Sequence, residues 1–535
     1  MIARAKWREA GGPLVWAAVP VVLARLPPAT HVLPALGVLR GPLGLVLLAV
    51  GAAIAAVRLR DAPVRIPDPG PWALFGLGAA LSLPVGLHYA SGLRVSGDEP
   101  HYLLMARSLW QEGDLDLRDN FAREEWRDDT PGPVAPHYGA PRRDGRPYPA
   151  HSPGLPFLLA PVYAWGGRLG CVALLAVAAA ALCVQVYLLA LQVTGDRAAA
   201  VLAWAAAAGP PILFYSFHVY TEVPSALALA TALRLLLSAP NPAGAAVAAV
   251  LASILPWLHV KMIPAAAALA LVALLHLGRR ARAAFFAVAA LMAAGFLGYG
   301  HAVFGTWSPL ARYGGLPADA AVGSPARAML GLLFDRSFGL LPYAPVFLLA
   351  LAGLFSRPWW KARDAASHVL VGLAVLAPVL TWRMWWGGQC PPGRFLVPVV
   401  PLLCAAFAVR AAAPPPPRGL LRWRDTLLAL GLALGVFMSA RPGELMLVNR
   451  GDRPTRVWEA LSGDVPVGRY LPSLVQPDAV EVRVALVWAG AVLLLIVLDH
   501  LARRHDRADG WFRGLGLPVL VLAAVGAIVD SWARR

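Results

Sequence analysis

Two adjacent carboxylates, Asp98 and Glu99, stand where an apolar run of membrane-spanning length ends and the most acidic segment of the chain begins. A short amphipathic helix is predicted directly after them, with Pro100 in its first turn and Gly113 just beyond its end. A carboxylate fixed at the water boundary can take a proton from a substrate hydroxyl or amine. Asp98 is therefore the candidate general base, and Glu99 either orients an acceptor or is itself the base. The alternative role of Asp98 is an N-cap.

A third carboxylate and three cations lie at or near the ends of other apolar runs. Glu222 could support an acceptor, or it could be a helix-end carboxylate paired with a neighbour or with solvent. Lys261, Arg394 and Arg383 could bind a phosphate, which Arg meets with a fork of donors and Lys meets as a point charge. Their alternative role is to extend towards lipid headgroups. Charged groups this close to a bilayer are costly, which favours a functional role for them.

Several rings accompany these charges. His101, Tyr102 and His151 could contact a sugar, although ordinary histidines in a loop or at an interface, and a tyrosine in the interfacial aromatic belt, would look the same. No cofactor is indicated with certainty. A divalent metal held by the three carboxylates is possible, and oxygen ligands would suit Mg²⁺ or Mn²⁺.

The composition predicts an all-α integral membrane protein. Of the 535 residues 58% are hydrophobic and 14% are charged, against about 25% charged in ordinary soluble domains. The apolar runs are unbroken Ala, Leu and Val without the alternation of barrel strands, so helices of about 20 residues are expected. About 13–15 transmembrane helices are predicted. The candidate spans are 12–26, 41–57, 71–92, 169–191, 198–216, 221–238, 244–258, 261–277, 283–303, 338–356, 366–384, 394–411, 425–440, 484–500 and 514–531.

The basic residues predict the orientation. Short loops on one side carry Arg58, Arg60, Arg65, Arg279, Arg280, Arg282, Arg357, Lys361, Arg363, Arg410, Arg418, Arg422, Arg424, Arg503, Arg504, Arg507 and Arg513. Such loops stay in the cytoplasm, so a plasma (inner) membrane protein with a cytoplasmic N-terminus is predicted. The same pattern explains the net charge of +17 without nucleic acid as a partner.

Four longer segments fall on the opposite, non-cytoplasmic side: 93–155, 304–337, 385–393 and 441–483. The first contains eleven of the thirty acidic residues of the chain and opens with the amphipathic helix. A proline-broken apolar piece after His151 is expected to lie along the interface. The predicted organisation is an N-terminal helix pair (1–70), a membrane core that includes the acidic loop (71–411), and C-terminal membrane helices (412–535). Four cysteines, three of them within apolar runs, form no disulfide framework. The fourth, Cys390, falls in a predicted outer loop and is expected to react with a membrane-impermeant thiol reagent in intact cells.

Four short motifs resemble those of one enzyme superfamily. They are Asp98-Glu99-Pro100-His101-Tyr102, Tyr148-Pro149-Ala150-His151-Ser152-Pro153-Gly154-Leu155-Pro156, Phe217-His218-Val219-Tyr220-Thr221-Glu222, and Trp386-Gly387-Gly388-Gln389-Cys390-Pro391-Pro392-Gly393-Arg394-Phe395. Their order between about residues 71 and 410, on one predicted side of the membrane, is similar to that in GT-C glycosyltransferases. Protein mannosyltransferases and lipid A aminoarabinose transferases belong to that group. The additional helices at 12–57 depart from the usual pattern.

The resemblance implies transfer of a sugar from a polyprenyl-phosphate donor to a glycan, lipid or protein acceptor on the non-cytoplasmic face. In this chemistry a carboxylate deprotonates the acceptor, and cations stabilise the departing phosphate. The main alternative is a transporter or flippase for a lipid-linked envelope precursor. Transport sites usually lie at the membrane midplane within repeated halves, and no repeat is evident here. A scaffold for envelope synthesis would not need the carboxylate pair.

Overall fold

The computed structural model describes residues 14–15, 17–59, 69–92, 95, 97–130, 132–313, 323–362, 364–412, 423–446, 456–504 and 516–533. Within these ranges the regular structure is helical, and an isolated antiparallel bridge joins Tyr138 and Pro149. The all-α class predicted from the composition is confirmed. Several arginines used to predict the orientation lie outside the described residues: Arg60, Arg65, Arg363, Arg418, Arg422, Arg507 and Arg513.

The helices are numbered in chain order, after a helical stretch at residues 17–23. They are α1 Pro27–Val32, α2 Pro42–Leu59, α3 Pro71–Gly92, α4 Glu99–Gln111, α5 Arg118–Ala122, α6 Gly154–Thr194, α7 Arg197–Ala207, α8 Ile212–Tyr215, α9 Glu222–Leu237, α10 Pro242–Leu258, α11 Ile263–His276, α12 Arg279–Phe304, α13 Pro325–Phe334, α14 Phe347–Leu354, α15 Arg357–Lys361, α16 Ala365–Leu380, α17 Val400–Ala412, α18 Trp423–Ala440, α19 Pro442–Leu445, α20 Val457–Leu461, α21 Ala479–Arg504 and α22 Gly516–Ala533. Turns of 3-10 helix lie at Pro34–Arg40, Glu125–Asp128, Val260–Met262, Ala311–Tyr313, Arg394–Leu396 and Val467–Tyr470.

Several helices are suited to a bilayer. Among the described residues, four are long and apolar enough to cross a membrane: Pro71–Ser91, Gly154–Thr194, Arg279–Phe304 and Ala479–Leu498. The bent pair Pro34–Arg40 and Pro42–Ala56, whose arms differ in direction by 73°, would make a fifth span. Shorter apolar helices of 10–17 residues lie between them, and about 17 residues is the lower limit for crossing the hydrocarbon. The chain is thus a multi-pass membrane protein, and the number of spans depends on how many of the shorter helices cross.

Helix α6 is the centre of the bundle. It contacts α3, α4, α7, α9 and α17, and small residues allow the closest of these contacts. A Cβ added at Gly78 of α3 would lie 3.3 Å from Ala180 of α6, the kind of small-residue contact that lets membrane helices approach. Over 41 residues α6 would extend about 60 Å, twice the hydrocarbon thickness. Its backbone leaves the helical conformation at Gly167 (φ 52°, ψ −146°), which separates the expected interfacial piece from the predicted span at 169–191.

Three predicted spans have different bounds in the structure. The span at 198–216 is divided by Gly209-Pro210-Pro211 into α7 and the short α8. The span at 338–356 is helical only within α14, because turns occupy residues 335–346 and Asp335 accepts the backbone N–H groups of Ser337 and Phe338. The span at 394–411 begins as a 3-10 turn before α17. Proline removes a backbone donor and interrupts the hydrogen bonds of a helix. The hydropathy of a run does not reveal such interruptions.

The last described helix, α22, packs against segments near residues 35 and 470. Asp530 of α22 accepts hydrogen bonds from the backbone N–H of Ala35 (3.0 Å) and from the hydroxyl of Tyr470 (2.8 Å). The largest apolar core contains residues from Val38 to Val529. The division of the chain at residues 70 and 411 stays a prediction.

The acidic loop, residues 97–153, lies against the C-terminal end of α12. The Arg143 backbone N–H donates to the Val303 carbonyl oxygen (2.7 Å), and the Tyr148 and Tyr299 hydroxyls are hydrogen-bonded. The segment between the two bridge residues is therefore fixed to α12 at two points.

Candidate active site

Arg394 is the centre of a buried group of charges. Its Nη2 donates to Oδ2 of Asp98, its Nε to Oε1 of Glu222 (3.0 Å), and its Nη1 to the carbonyl oxygen of Gly387 (2.7 Å). Only 7% of the side chain is exposed. One guanidinium therefore joins the start of α4, the start of α9 and the turn that leads to α17. A planar fork of donors makes such a three-way contact possible.

Lys261 joins the same group. Its Nζ donates to Oε1 of Glu222 at 2.9 Å, and the Glu222 side chain is completely buried. The preceding turn is shaped by His259, whose Nδ1 accepts the backbone N–H of Lys261 at 3.1 Å. Asp98, Glu222, Lys261 and Arg394 are called the charge cluster below. Two cations face two carboxylates, so the cluster is close to neutral.

Two glycines allow the backbone to approach the charge cluster. Gly97 has φ +56°, and a Cβ there would lie 2.2 Å from the Tyr220 hydroxyl and 2.5 Å from the Gln389 carbonyl oxygen. Gly393 has φ +76°, and a Cβ there would lie 2.8 Å from Pro211. Both conformations are strained for other residues, and neither position has space for a side chain. These glycines place Asp98 and Arg394 face to face.

Asp98 occupies the N-cap position of α4, but its side chain accepts no capping hydrogen bond from that helix. The carboxylate contacts Arg394 instead, and with 30% of its side chain exposed it is the most accessible member of the charge cluster. Burial acts to raise the pKa of Asp98, but the Arg394 guanidinium beside it holds that pKa below its usual value. The group is thus ionised at neutral pH, in contact with solvent, and not used as a cap.

Glu99 has a different environment. Its Oε1 accepts the Tyr89 hydroxyl at 2.6 Å, and its Oε2 accepts the Val219 backbone N–H at 2.8 Å, with the residue fully buried. Both carboxylate oxygens are engaged by the protein. These contacts suit a residue that fixes the start of α4 against the 218–220 turn.

The predicted sugar-contacting rings lie together beside Asp98. His101 and His151 are stacked with ring centroids 4.9 Å apart, and the buried Tyr102 ring lies 5.1 Å from His151. His137, which the sequence did not single out, completes the group with its Nδ1 3.2 Å from Nε2 of His151. Burial lowers the pKa of His151 to about 3 and that of His101 to about 4, and neighbouring imidazoles add to both shifts. These two rings are therefore neutral at pH 7.

Arg383 stands apart from these residues. It is exposed, and its charge acts on Arg327 rather than on the charge cluster. The structure instead adds Arg312, which is buried and donates to the Ser152 hydroxyl at 2.6 Å. Burial distinguishes Arg312 from the other arginines of its loop, and burial cannot be read from the sequence.

Aromatic rings pack against both cations of the charge cluster. Lys261 Nζ lies 4.1 Å from the centroid of Phe395, and the guanidinium carbon of Arg394 lies 4.2 Å from that of Tyr220. Cation–π contacts of this kind stabilise a charge that has been removed from water. Sequence reasoning did not identify Tyr220 as a site residue, although it stands two positions before Glu222.

The arrangement can bind an anion and accept a proton within one small volume. Two cations lie beside a partly exposed, ionised carboxylate. The carboxylates themselves are poorly disposed towards Mg²⁺ or Mn²⁺, because Asp98 and Glu222 face cations and both oxygens of Glu99 accept protein donors. Among the described residues, the group whose ligand atoms lie together for a metal is His101, His137 and His151.

Comparison with known proteins gives structural similarities alone. Neither a family model nor a curated protein matches the sequence. The structure of ArnT from Cupriavidus metallidurans bound to undecaprenyl phosphate is similar, with 15% identity, a TM-score of 0.43, and coverage of 85% of this chain and 77% of that chain. The Archaeoglobus fulgidus oligosaccharyltransferase is similar with 15% identity and a TM-score of 0.44. That match covers 76% of this chain and 60% of the oligosaccharyltransferase. Both belong to the GT-C superfamily, the group that the sequence motifs resemble, but similarity at this level does not transfer an activity or a residue role.

Proposed function

We propose that this protein is a membrane glycosyltransferase that moves a sugar from a polyprenyl-phosphate donor to an acceptor on the non-cytoplasmic face. The observation that carries the proposal is the contact of Arg394 with both Asp98 and Glu222, with Lys261 on the same Glu222 oxygen. Two cations thus lie directly beside the candidate base, which supports a role for them in binding the donor phosphate.

The cations would act on the leaving group. As the bond between the anomeric carbon and the phosphate oxygen breaks, its electron pair stays on the polyprenyl phosphate, which gains negative charge. Arg394 is buried, Lys261 has 12% of its side chain exposed, and Glu222 holds both in place, so they are oriented before the charge develops. Donors that are fixed in advance in a dry site stabilise such charge more than water does. No general acid is needed, because phosphate leaves as a stable anion.

Asp98 would act on the acceptor. Its carboxylate takes the proton of the acceptor hydroxyl or amine while the acceptor atom bonds to the anomeric carbon. While Arg394 holds it, Asp98 is a weak base, because the guanidinium stabilises its ionised form. A donor phosphate competes for the same guanidinium, and transfer of Arg394 Nη2 from Asp98 to the phosphate would raise the basicity of Asp98. Base strength would thus increase only when donor is bound.

A turnover assay tests the proposal. Purified full-length protein in lipid nanodiscs is incubated with a panel of polyprenyl-phosphate sugars, with and without a detergent extract of cell envelope as acceptor source, and free polyprenyl phosphate is measured. We expect acceptor-dependent release with at least one donor, and none from empty nanodiscs. Movement of intact donor across proteoliposome membranes, without release by any donor, would instead identify a transporter.

Labelling of single cysteines tests the proposed sidedness. The four natural cysteines are all buried, including Cys390 with 1% exposure, so the sequence-based expectation of an accessible Cys390 is wrong. Because these cysteines are buried, the protein without an added cysteine should show little labelling by maleimide. We expect Arg127→Cys, in the exposed part of the acidic loop, to react with a membrane-impermeant maleimide in intact cells. The exposed Arg279→Cys, at the first residue of α12, should react only after the cells are opened. The reverse result would place the charge cluster on the cytoplasmic side.

A further inference from the structure

Three histidines from three separate segments converge at one point beside the charge cluster. His101 lies in the first turns of α4, His137 next to the Tyr138–Pro149 bridge, and His151 just before α6. One ring nitrogen from each can be chosen so that all three lie within 4.8 Å of one another. The hydrogen-bonded α4 and the bridge hold the three backbones, so the convergence is a property of the fold.

We propose that His101, His137 and His151 form a binding site for a transition-metal ion, with zinc as the ion that best fits. A tetrahedral zinc with Zn–N bonds of about 2.0–2.1 Å holds its nitrogens roughly 3.3 Å apart. The pair formed by Nδ1 of His137 and Nε2 of His151 is already 3.2 Å apart. Because the ligand atoms of the three rings lie within 4.8 Å of one another, that of His101 would have to approach the other two by at most about 1.5 Å to reach the same spacing. Three imidazoles suit zinc and similar ions, whereas Mg²⁺ and Ca²⁺ prefer oxygen ligands.

The competing explanation is a cluster without metal, in which His137 and His151 share a hydrogen bond. Such a bond requires one of the two nitrogens to carry a proton, whereas a metal requires both to be free of protons. The two arrangements therefore respond in opposite ways to added metal. At a metal site, the added ion would bind and displace the shared proton. A histidine pair that serves only as a hydrogen bond would not bind the ion.

A metal at this point would join three separate segments of the chain through a single ion. His101 is three residues from Asp98, and His137 and His151 flank the irregular part of the acidic loop. A three-histidine site leaves a fourth coordination position open. The ion would thus fasten the loop to α4 beside the proposed base, with one position free for water or for an oxygen of a bound ligand. This inference rests on the histidines and does not depend on the proposed transferase activity.

Metal binding by the full-length protein in nanodiscs tests the inference. After treatment with chelator, we expect the wild type to take up one zinc per chain. His137→Ala should weaken zinc binding at least ~100-fold, the upper end of what loss of an outer-sphere partner costs. His137 is exposed and outside the charge cluster, so its removal leaves the fold intact. His301→Ala, which removes a histidine stacked on Trp307, is the matched control and should bind as the wild type does.

Two further readouts separate a metal site from nonspecific uptake. Cobalt(II) bound to the wild type should give the intense visible absorption of tetrahedral coordination, and His137→Ala should not. Zinc should protect the acidic loop of the wild type from limited proteolysis but not that of the variant. The inference is wrong if the wild type takes up no zinc, or if His137→Ala binds zinc as tightly as the wild type does.

Discussion

Asp98→Asn is expected to lower the rate of sugar transfer at least ~100-fold, the usual scale for the loss of a general base. The amide keeps the shape of the carboxylate and can still accept a hydrogen bond from Arg394, but it cannot take a proton from an acceptor. The loss should appear in kcat, whereas donor binding should tighten, because a neutral amide competes less than the carboxylate for the Arg394 guanidinium. Release of polyprenyl phosphate under single-turnover conditions measures the chemical step directly.

The matched control is Asp144→Asn, which removes an acid of the same loop that has 45% of its side chain exposed and lies outside the charge cluster. It should transfer sugar at the rate of the wild type. Thermal unfolding of both variants separates a catalytic effect from misfolding. Equal rates for Asp98→Asn and the wild type would remove Asp98 from the mechanism, even if the protein proves to be a transferase.

Arg394→Met is expected to have the largest effect on stability. It leaves Asp98 without its cation and Glu222 with Lys261 alone, inside a site from which water is largely excluded. Removing one partner of a buried ion pair typically costs about 3–5 kcal/mol, because a charge stays buried without compensation. We expect a loss of this size in the free energy of unfolding, measured by denaturation in detergent, together with loss of transfer.

Arg127→Met is the control for this change. Arg127 pairs with Glu124 at the surface, where both side chains are more than half exposed, and such pairs contribute about 0–1 kcal/mol. The double variant Arg394→Met with Glu222→Gln should recover part of the lost stability without recovering transfer, because it removes a buried charge but restores no phosphate-binding group. A stable Arg394→Met protein would contradict the view that the charge cluster is held together by this arginine.

The class of fold and the four members of the charge cluster could be predicted from the sequence, for physical reasons. Runs of Ala, Leu and Val leave helices as the practical way to satisfy the backbone in lipid, so the all-α class follows from composition. Charged residues near a bilayer are costly enough to stand out, which is why Asp98, Glu222, Lys261 and Arg394 could be selected without a structure. The structure brings these four into one connected group.

Other features depend on contacts that a single sequence does not contain. Glu99 looks like the equal of Asp98 in the sequence, but Tyr89 and Val219 occupy both of its oxygens. Arg383, the third choice for binding a phosphate after Lys261 and Arg394, is exposed and has no contact with the charge cluster among the interactions that the structure describes. His137 stands in a segment rich in Pro and Gly, and only the pairing of Tyr138 with Pro149 brings it to His151.

The attachment of the acidic loop to α12 has a mechanical consequence. This 26-residue helix is the most exposed of the four long apolar helices, with 6% of its most apolar window buried. At about 39 Å it is longer than the hydrocarbon core of a typical bilayer. Such a helix tilts to match the thickness of the lipid around it, and its C-terminal end carries Tyr299 and Val303, which hold Tyr148 and Arg143. Lipid acyl-chain length therefore acts, through the tilt of one helix, on the position of the loop beside the charge cluster.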